Sequence, residues 1–230
     1  MTVLTPESAQ QAIQKVKSGD VIMVGGFGLI GSPLTLIDAL TKHDVSDLTV
    51  ISNNVGEAGR GLGILLRQGK LKKAIGSYFT SNREVAQWYN KGKISLQLLP
   101  QGTLSEAIRA GGAGIGGFYT KTAVGTDLAK GKETKEIDGE TYVFEKALKA
   151  DVALIRAWKA DTKGNLVYYK TARNFNPMMA TAAKYVIAEV DEIVEEGELS
   201  PEEIVTPHLF VDEVIKSRLI LTKEGVVERE

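Results

Sequence analysis

Short apolar runs alternate with amphipathic segments through the first half of the chain. Residues 21–24 and 48–51 are apolar runs too short for buried helices, and both end at glycine or amide residues. Between them, Pro33 precedes apolar residues at the three- and four-residue spacing of a helix. The same reasoning predicts helices over 60–68, 83–91 and 103–110, and strands over 71–78 and 94–99. This alternation predicts an α/β fold with a mostly parallel sheet flanked by helices.

The first residues and the second half of the chain show other patterns. Thr5 as N-cap and Pro6 at the first helical position predict a first helix that ends near Gly19. Residues 111–126 are rich in Gly and Thr without a period, so a loop is expected there. Asp138-Gly139 between 135–137 and 140–145 predicts a type I′ hairpin, an antiparallel elaboration of the second half. Further strands are predicted over 152–158, 166–170 and 185–190 and a helix over 176–183, with no element predicted in the acidic residues 191–230.

Composition argues against several classes of function. A formal net charge of −1 lacks the basic excess of nucleic-acid binding proteins. There is no cysteine, and only His43 and His208 are histidines, so thiolate chemistry is excluded and no metal site is expected. No apolar run approaches the ~20 residues of a membrane span, and the first residues lack the apolar core of a signal peptide. We therefore expect a cytoplasmic protein with no nucleic-acid or membrane partner.

A glycine loop follows the first predicted strand. Gly26, Gly28 and Gly31 have the spacing G-x-G-x-x-G of dinucleotide-binding loops. That function also requires an acid about 20 residues further on, where this chain has Ser52-Asn53-Asn54. Dinucleotide binding thus has one of its two required features, and close packing alone is another interpretation. Such a loop can also present backbone N–H groups to a different anion.

Two more glycine- and amide-rich loops follow predicted strands. They are Asn53-Asn54-Val55-Gly56 and Pro100-Gln101-Gly102-Thr103. Because carboxyl ends of parallel strands lie at one edge of a sheet, these loops and the glycine loop are expected to meet there. Their neutral amides and backbone N–H groups suit a carboxylate, or an oxyanion that forms on a thioester carbonyl. No Ser-His-Asp set accompanies them.

Charged residues near this edge have both ordinary and functional interpretations. Glu57 is either a solvated loop acid or a carboxylate nucleophile, and Glu106 is either an acid of a helix first turn or part of the site. Arg109 either binds a phosphate or an acid of a partner, or is the cation of a helix C-terminus. Asn176, in the polar segment 173–177, is either an N-cap or a site residue. A solvated face or a phosphate site can explain the basic cluster Arg60, Arg67, Lys70, Lys72 and Lys73.

Seven ordered segments make the chain resemble a known family. The alpha chains of family I CoA-transferases carry similar segments in this order, most of all those of the succinyl-CoA:3-oxoacid type. The acetate and butyrate-acetoacetate transferases are similar too. The resemblance covers roughly residues 3–215, so a single CoA-transferase domain over 1–230 is expected, with its core in that range. The segments are GGFGLIGSP, SNN, PQGTLSEAIRAGGAG, FYT, VGT, RAWKADTKGN and KTARNFNP.

The resemblance implies a CoA-transferase type of fold and a reaction in two halves. A glutamate attacks the acyl-CoA thioester, and the mixed anhydride collapses to a glutamyl-CoA thioester and a free carboxylate. The acceptor acid then reverses the steps. In the family this glutamate lies in a Ser-Glu-Asn-Gly motif of the beta half, and this chain lacks the motif. The chain is therefore expected to have no catalytic residue of its own and to act with a CoA-transferase beta subunit, as a heterodimer or heterotetramer.

The resemblance also assigns site residues and ligands. CoA is then a substrate moiety and no cofactor is permanently bound, with succinyl-CoA as the expected donor and acetoacetate, a short-chain 3-oxo acid, as the acceptor. An acetate or butyrate-acetoacetate CoA-transferase stays open, as does a non-catalytic module that binds CoA or a sugar phosphate. The acid-substrate pocket is expected to be lined by Asn53, Asn54 and Gln101. The CoA-contacting loop is expected to be Gly25, Gly26, Phe27, Gly28, Leu29, Ile30 and Gly31.

Overall fold

The computed structural model describes residues 8–229, which build a central sheet, helices on both of its faces and three smaller sheets. The α-helices are α1 (Ala9–Ala12), α2 (Leu34–Lys42), α3 (Leu62–Arg67), α4 (Arg83–Asn90), α5 (Gln101–Gly112) and α6 (Asn176–Thr181). The strands are β1 (Val21–Val24), β2 (Leu48–Ile51), β3 (Leu71–Gly76), β4 (Ser95–Leu98), β5 (Gly117–Thr120), β6 (Thr134–Ile137), β7 (Glu140–Lys146), β8 (Ala150–Arg156), β9 (Lys159–Asp161), β10 (Leu166–Val167), β11 (Ala183–Val190), β12 (Glu192–Val194), β13 (Glu213–Lys216), β14 (Leu219–Thr222) and β15 (Gly225–Glu228).

The central sheet is parallel at every neighbouring pair. Its seven strands have the order β13-β11-β8-β1-β2-β3-β4. The chain runs outward from β1 to β4 on one side, then returns to β8 and runs outward to β13 on the other. The strand order therefore reverses between β1 and β8, and ligands of open α/β sheets bind beyond the carboxyl ends at such a point.

Alternating side chains of the sheet pack into a core on each face. On one face, Ile22 and Val24 of β1 lie in a cluster with the apolar residues of α1, α2, α3 and α4. On the other, Met23 of the same strand packs with residues of α5 and α6. The two-residue period of the strands explains why neighbours in sequence join different clusters. The predicted α/β class, a mostly parallel sheet flanked by helices, is confirmed.

The antiparallel elaboration lies in the second half, as predicted. Strands β5, β7 and β6 form one antiparallel sheet, and β14 pairs with β15 in another. Asp138 and Gly139 join β6 to β7 with φ angles of 51° and 78°, as a type I′ turn requires. Strand β9 pairs antiparallel with β10 and parallel with β12.

Several sequence-based boundaries need correction. The loop prediction for 111–126 is wrong at β5, which pairs with β7. The return strand predicted over 166–170 ends at Val167, and a 3₁₀ helix begins at Lys170. The strand predicted over 152–158 lies at 150–156, and 191–230 contain the unpredicted strands β12 to β15. Thr5 and Pro6 lie outside the described residues, and α1 is capped by Ser8, whose hydroxyl accepts from the Gln11 N–H at 3.2 Å.

None of the helices within residues 8–229 combines the length and the apolar composition needed to cross a membrane.

Candidate functional site

The glycine loop, residues 25–31, leaves the carboxyl end of β1 beside the point where the strand order reverses. Phe27 and Ile30 exchange backbone hydrogen bonds of 2.9 and 3.2 Å, which close the loop on itself. Gly28 between them has a φ of 62°, and Gly31 follows with 71°. Glycine adopts this left-handed region without a steric cost, so these positions fix the shape of the loop. The side chains of Phe27 and Ile30 stay about half exposed, at 50% and 48%.

Two asparagines far along the chain hold the glycine loop in place. The Asn174 Oδ1 accepts from the Gly26 N–H at 3.2 Å, and its Nδ2 donates to the Ile30 carbonyl at 3.0 Å. The Asn176 Nδ2 donates to the Gly31 carbonyl at 2.9 Å. A Cβ at Gly25 would lie only 1.7 Å from the Asn176 Oδ1, so the contact requires glycine there. The loop is therefore clamped at both ends by amide side chains.

The sequence left two interpretations of Asn176, an N-cap or a site residue, and the structure shows that it is not the N-cap. It is fully buried as the first residue of α6, and Phe175 occupies the N-cap position without a side-chain hydrogen bond. Its Oδ1 accepts from the Arg156 N–H at 2.9 Å. Asn176 thus joins the end of β8 to the glycine loop, on opposite sides of the reversal point.

The N-terminus of the helix after the glycine loop binds a carboxylate of the chain itself. The Glu189 Oε2 accepts from the Thr35 and Leu36 N–H groups of α2 at 2.9 and 3.1 Å. Helix N-termini stabilise anions through unpaired N–H groups and the helix dipole. Glu189 comes from β11 and is 0% exposed. The anion site that a G-x-G-x-x-G loop usually offers to a phosphate is therefore already filled.

Arg156 and Ser217 complete the surroundings of Glu189. Arg156 forms an ion pair with Glu189 and a second one, of 2.5 Å, with Asp191. The Ser217 hydroxyl donates to the Glu189 Oε1 at 2.7 Å. Burial raises the pKa of Glu189, while Arg156, Ser217 and the two helix N–H groups favour the carboxylate form. Sequence reasoning missed this residue, although an acid inside the apolar run VIAEV was a signal.

A cavity of about 320 Å³ lies at the reversal point. Its walls include the glycine loop and the start of α2, the end of β8, and strand β14 of the C-terminal hairpin. The guanidinium of Arg229, directly after that hairpin, lies 3.0 Å from the Asp191 carboxylate, which also pairs with Arg156. The walls therefore carry two arginines and one aspartate. Residues 29–32, 156–158 and 219–221 are among the lining residues.

The amides predicted for the acid pocket meet beyond β2 and β4. The Asn53 Nδ2 donates to the Ser77 Oγ at 3.0 Å and to the Gln101 Oε1 at 3.3 Å. The Asn54 Nδ2 donates to the Asn53 Oδ1 at 2.9 Å, and its Oδ1 accepts from the Gly56 N–H at 2.7 Å. Asn53 and Asn54 are 1% and 4% exposed, whereas Gln101 is exposed. The buried pair thus orients Gln101, whose Nε2 has no hydrogen-bond partner among the described residues.

The glycine loop and the amide cluster are parts of one edge. The Ser52 hydroxyl donates to the Val24 carbonyl at 2.8 Å, which joins the ends of β2 and β1. A Cβ at Gly61 would lie 2.8 Å from the Leu29 Cδ2, so the loops after the two strands are in close contact. This confirms the expectation that the carboxyl ends of the strands bring the loops together.

The charged residues singled out in the sequence are mostly paired within the chain. The Glu57 carboxylate lies 3.6 Å from the Arg60 guanidinium. Glu106 accepts two hydrogen bonds from Arg109, which lower its pKa. Because α5 begins at Gln101, Glu106 lies in the second turn and not in the first, while Arg109 does lie in the last turn.

The basic cluster does not form one continuous surface for phosphate. Arg67 pairs with Glu84 at 2.7 Å and Lys72 with Asp47 at 3.7 Å. Lys70 donates to carbonyls at the end of α2, and Lys73 to the Gln97 Oε1. These contacts favour the ordinary interpretation of the cluster. Among residues 8–229, no group of three or more His, Cys, Asp or Glu side chains is placed to hold a metal ion.

The dinucleotide interpretation finds no support in this geometry. The end of β2 carries buried amides, Asn53 and Asn54, where the ribose-binding acid is required. The helix N–H groups that would face the pyrophosphate already bind Glu189.

Comparison with known proteins points to one family. The family model described as coenzyme A transferase matches residues 6–217. One relative, from Bacillus subtilis, is described as a probable subunit of a succinyl-CoA:3-ketoacid coenzyme A transferase. It is 51% identical over 90% of this chain and 87% of its own length. The alpha subunit of the Escherichia coli acetate CoA-transferase is 47% identical over 91% of this chain and 95% of its own length.

Among solved structures, an acyl-CoA transferase from E. coli O157:H7 superimposes on 94% of this chain with a TM-score of 0.82. The sequence identity is 24%, so this likeness speaks for the fold alone. The chain spans about half of that longer polypeptide, 47% of its length.

Proposed function

This chain belongs to the coenzyme A transferase family and is therefore a transferase, and we propose that it is the alpha subunit of a 3-oxoacid CoA-transferase. In this proposal the enzyme moves CoA from succinyl-CoA to acetoacetate. The donor and acceptor are carried over from the name of the 51% identical relative and from the resemblance of the seven sequence segments.

The observation that carries the proposal is the meeting of the glycine loop and the Asn53–Gln101 amide pair at one sheet edge. We assign the residues of the glycine loop, Gly25 to Gly31, to CoA. We assign Gln101 to direct contact with the acid, with Asn53 and Asn54 holding it in position. A neutral N–H donor at this place suits a carboxylate and an oxyanion alike, because both accept hydrogen bonds from a preorganised donor.

The nucleophile in this proposal is a glutamate of the beta subunit. It attacks the thioester carbonyl, the CoA thiolate leaves, and a mixed anhydride forms. The thiolate then attacks the glutamyl carbonyl and releases succinate, which leaves a glutamyl-CoA thioester for acetoacetate to take over in reverse. Two acids of this chain near the edge, Glu57 and Glu106, are each paired with an arginine, which favours a carboxylate supplied by the partner.

The direct test is to purify this chain and its beta partner separately and then mix them. We expect transfer of CoA from succinyl-CoA to acetoacetate in the mixture, and none from either chain by itself. Transfer by this chain alone would contradict the division of the site between two subunits. Binding of the two chains to each other without transfer would contradict the proposed activity.

Acetate is a second candidate acceptor because one 47% identical relative belongs to an acetate CoA-transferase. The active mixture can be offered acetoacetate, acetate, butyrate and a 3-oxo dicarboxylic acid in parallel. We expect the highest kcat/KM with acetoacetate. A higher value with acetate or butyrate would change the substrate and leave the reaction type unchanged.

A further inference from the structure

A series of amide groups begins at the N-terminus of α4 and leads toward the amide cluster. Asn82, the N-cap of α4, is almost fully buried, and its Oδ1 accepts from the Glu84 N–H at 3.1 Å. The Asn82 Nδ2 donates to the Val55 carbonyl at 3.0 Å. The N–H of the same peptide group, on Gly56, donates to the Asn54 Oδ1 at 2.7 Å. Asn82 and Asn54 therefore hold the two polar atoms of one backbone peptide group.

The series continues in the same direction through the amide cluster. The Asn54 Nδ2 donates to the Asn53 Oδ1 at 2.9 Å, and the Asn53 Nδ2 donates to the Gln101 Oε1 at 3.3 Å. At every step an amide accepts through its oxygen and donates through its nitrogen. Five amide groups, four of side chains and one of the backbone, thus form one series of hydrogen bonds that ends at Gln101.

Backbone groups fix the direction of this series. A backbone N–H can only donate, and a backbone carbonyl can only accept. The Glu84 N–H therefore requires the oxygen of the Asn82 amide. The Gly56 N–H requires the oxygen of the Asn54 amide in the same way. Each nitrogen is then left to donate to the next group, so Gln101 turns its oxygen inward and its Nε2 outward.

Burial strengthens the effect of the series on the group at its end. Asn53, Asn54 and Asn82 are 1%, 4% and 1% exposed. In surroundings that screen charge poorly, hydrogen bonds arranged head to tail polarise one another. Each bond that an amide accepts through its oxygen makes its nitrogen a stronger donor. The outward N–H groups of Gln101 are therefore stronger donors, and more firmly placed, than those of an isolated amide.

We propose that Asn82 is a positioning residue of the acid site and acts on the substrate through Asn54, Asn53 and Gln101. It determines that the Gln101 nitrogen faces the substrate, and it strengthens the hydrogen bond that this nitrogen donates to a carboxylate or an oxyanion. The identity of the substrate rests on the proposed function, whereas the path from Asn82 to Gln101 rests on the hydrogen bonds. The site then favours ionised acids over groups that can only donate.

The capping role of Asn82 and its role in the series can be separated by substitution. Serine keeps an oxygen that caps a helix and lacks the Nδ2 that donates to the Val55 carbonyl. Asn82→Ser therefore interrupts the series at its first step and retains the cap. Asn82→Asp also retains the cap and cannot donate when ionised. Ser8→Ala is the matched control, because it removes the capping hydrogen bond of α1, which is no part of the series.

The test measures kcat/KM for CoA transfer by the complex of this chain with its beta partner. Asn82→Ser is made both in the unmodified chain and together with Gln101→Ala. Because residues that act through one another are not additive, we expect a loss of about fivefold in the unmodified chain and of no more than about twofold beside Gln101→Ala. Asn82→Asp must show the same dependence on Gln101, and Ser8→Ala should change kcat/KM in neither case. An equal loss with and without Gln101 would overturn the inference, and so would an unchanged kcat/KM for Asn82→Ser.

A spectroscopic measurement on the same complex does not depend on transfer. With this chain labelled with ¹⁵N, the side-chain amide resonances of Gln101 are identified by their loss in Gln101→Ala. Asn82→Ser should move the Gln101 Nε2 proton resonances upfield, because a less polarised N–H is more shielded, and Ser8→Ala should leave them in place. Resonances that do not move in Asn82→Ser would overturn the inference. The expected movement, without transfer by the unmodified complex, would contradict the proposed function alone.

Discussion

At the start of α2, the Glu189 carboxylate fills the position that a dinucleotide-binding protein gives to a phosphate. It is held there by Arg156 and Ser217 as well as by two helix N–H groups. The same glycine spacing can therefore accompany opposite electrostatics, depending on a residue that comes more than 150 positions later in the chain. The electrostatics at the end of this loop therefore depend on the distant carboxylate as well as on the glycines.

At the amide cluster, Gln101→Ala removes the one exposed amide of the three. We expect kcat/KM of the two-chain enzyme to fall by roughly tenfold to a hundredfold, because a hydrogen bond to the substrate carboxylate, or to the oxyanion that forms on the thioester carbonyl, is lost. Gln87→Ala, on the exposed side of α4, is the matched control and should leave kcat/KM unchanged. Steady-state kinetics with succinyl-CoA and acetoacetate measures both, and an unaffected Gln101→Ala enzyme would remove this residue from the acid site.

Individual residues were predictable from the sequence where the signal was local. Glycines after β1 and amides after β2 and β4 are visible because each follows an apolar run directly. Asn174 was visible only as part of a polar segment, since nothing in the sequence shows that it reaches Gly26 across 148 positions. Nothing in the sequence shows that Asn53 and Asn54 are buried. In the structure their side chains form hydrogen bonds with each other and with neighbouring residues.

Among the elements, the glycine loop and the segment 172–176 behave as one unit. Gly31 is in close contact with this segment too, because a Cβ on Gly31 would lie 2.7 Å from the Ala172 carbonyl and from the Asn174 Nδ2. The loop therefore cannot change shape without moving the segment that enters α6. This contact explains why a loop with three left-handed glycines can still present Phe27 and Ile30 in a fixed place.

Gly25→Ala tests the clamp at its closest contact. The added methyl group would displace Asn176, so we expect the free energy of unfolding to fall by roughly 1–3 kcal/mol, as overpacked sites usually show. Gly102→Ala is the matched control, because no atom lies within 4 Å of its Cβ position and alanine favours a helix by up to about 1 kcal/mol. Urea denaturation measures both. Equal stability of the two variants would contradict the tight contact.

The strands that sequence reasoning missed are defined by pairing with distant residues more than by a local pattern. Strand β5 is only partly buried and pairs within a small sheet, so it shows neither an apolar run nor a clear alternation. In the acidic last part of the chain, β13 pairs with β11 at the edge of the central sheet. Its pattern is set by that pairing, which connects distant residues, and local propensity gives little sign of it. The strands buried on both faces were predictable because they are short apolar runs between turns.

For the whole molecule, the order of seven short segments was more informative than any single one. It indicated the family that the match over residues 6–217 then showed. The geometry explains why one chain is insufficient in our proposal. The edge offers backbone and amide donors, whereas Glu57 and Glu106 are bound to arginines of the same chain. In our proposal, the carboxylate that carries CoA comes from the beta subunit.

To test whether the site is divided between two chains, we would determine which chain carries the covalent intermediate. The complex of this chain with its beta partner is mixed with succinyl-CoA in the absence of an acceptor, and the intact mass of each chain is measured after denaturation. We predict that the beta chain gains the mass of CoA less one water, as a glutamyl thioester requires, and that this chain keeps its mass. A CoA adduct on this chain would contradict the proposed division and would direct attention to Glu57 and Glu106.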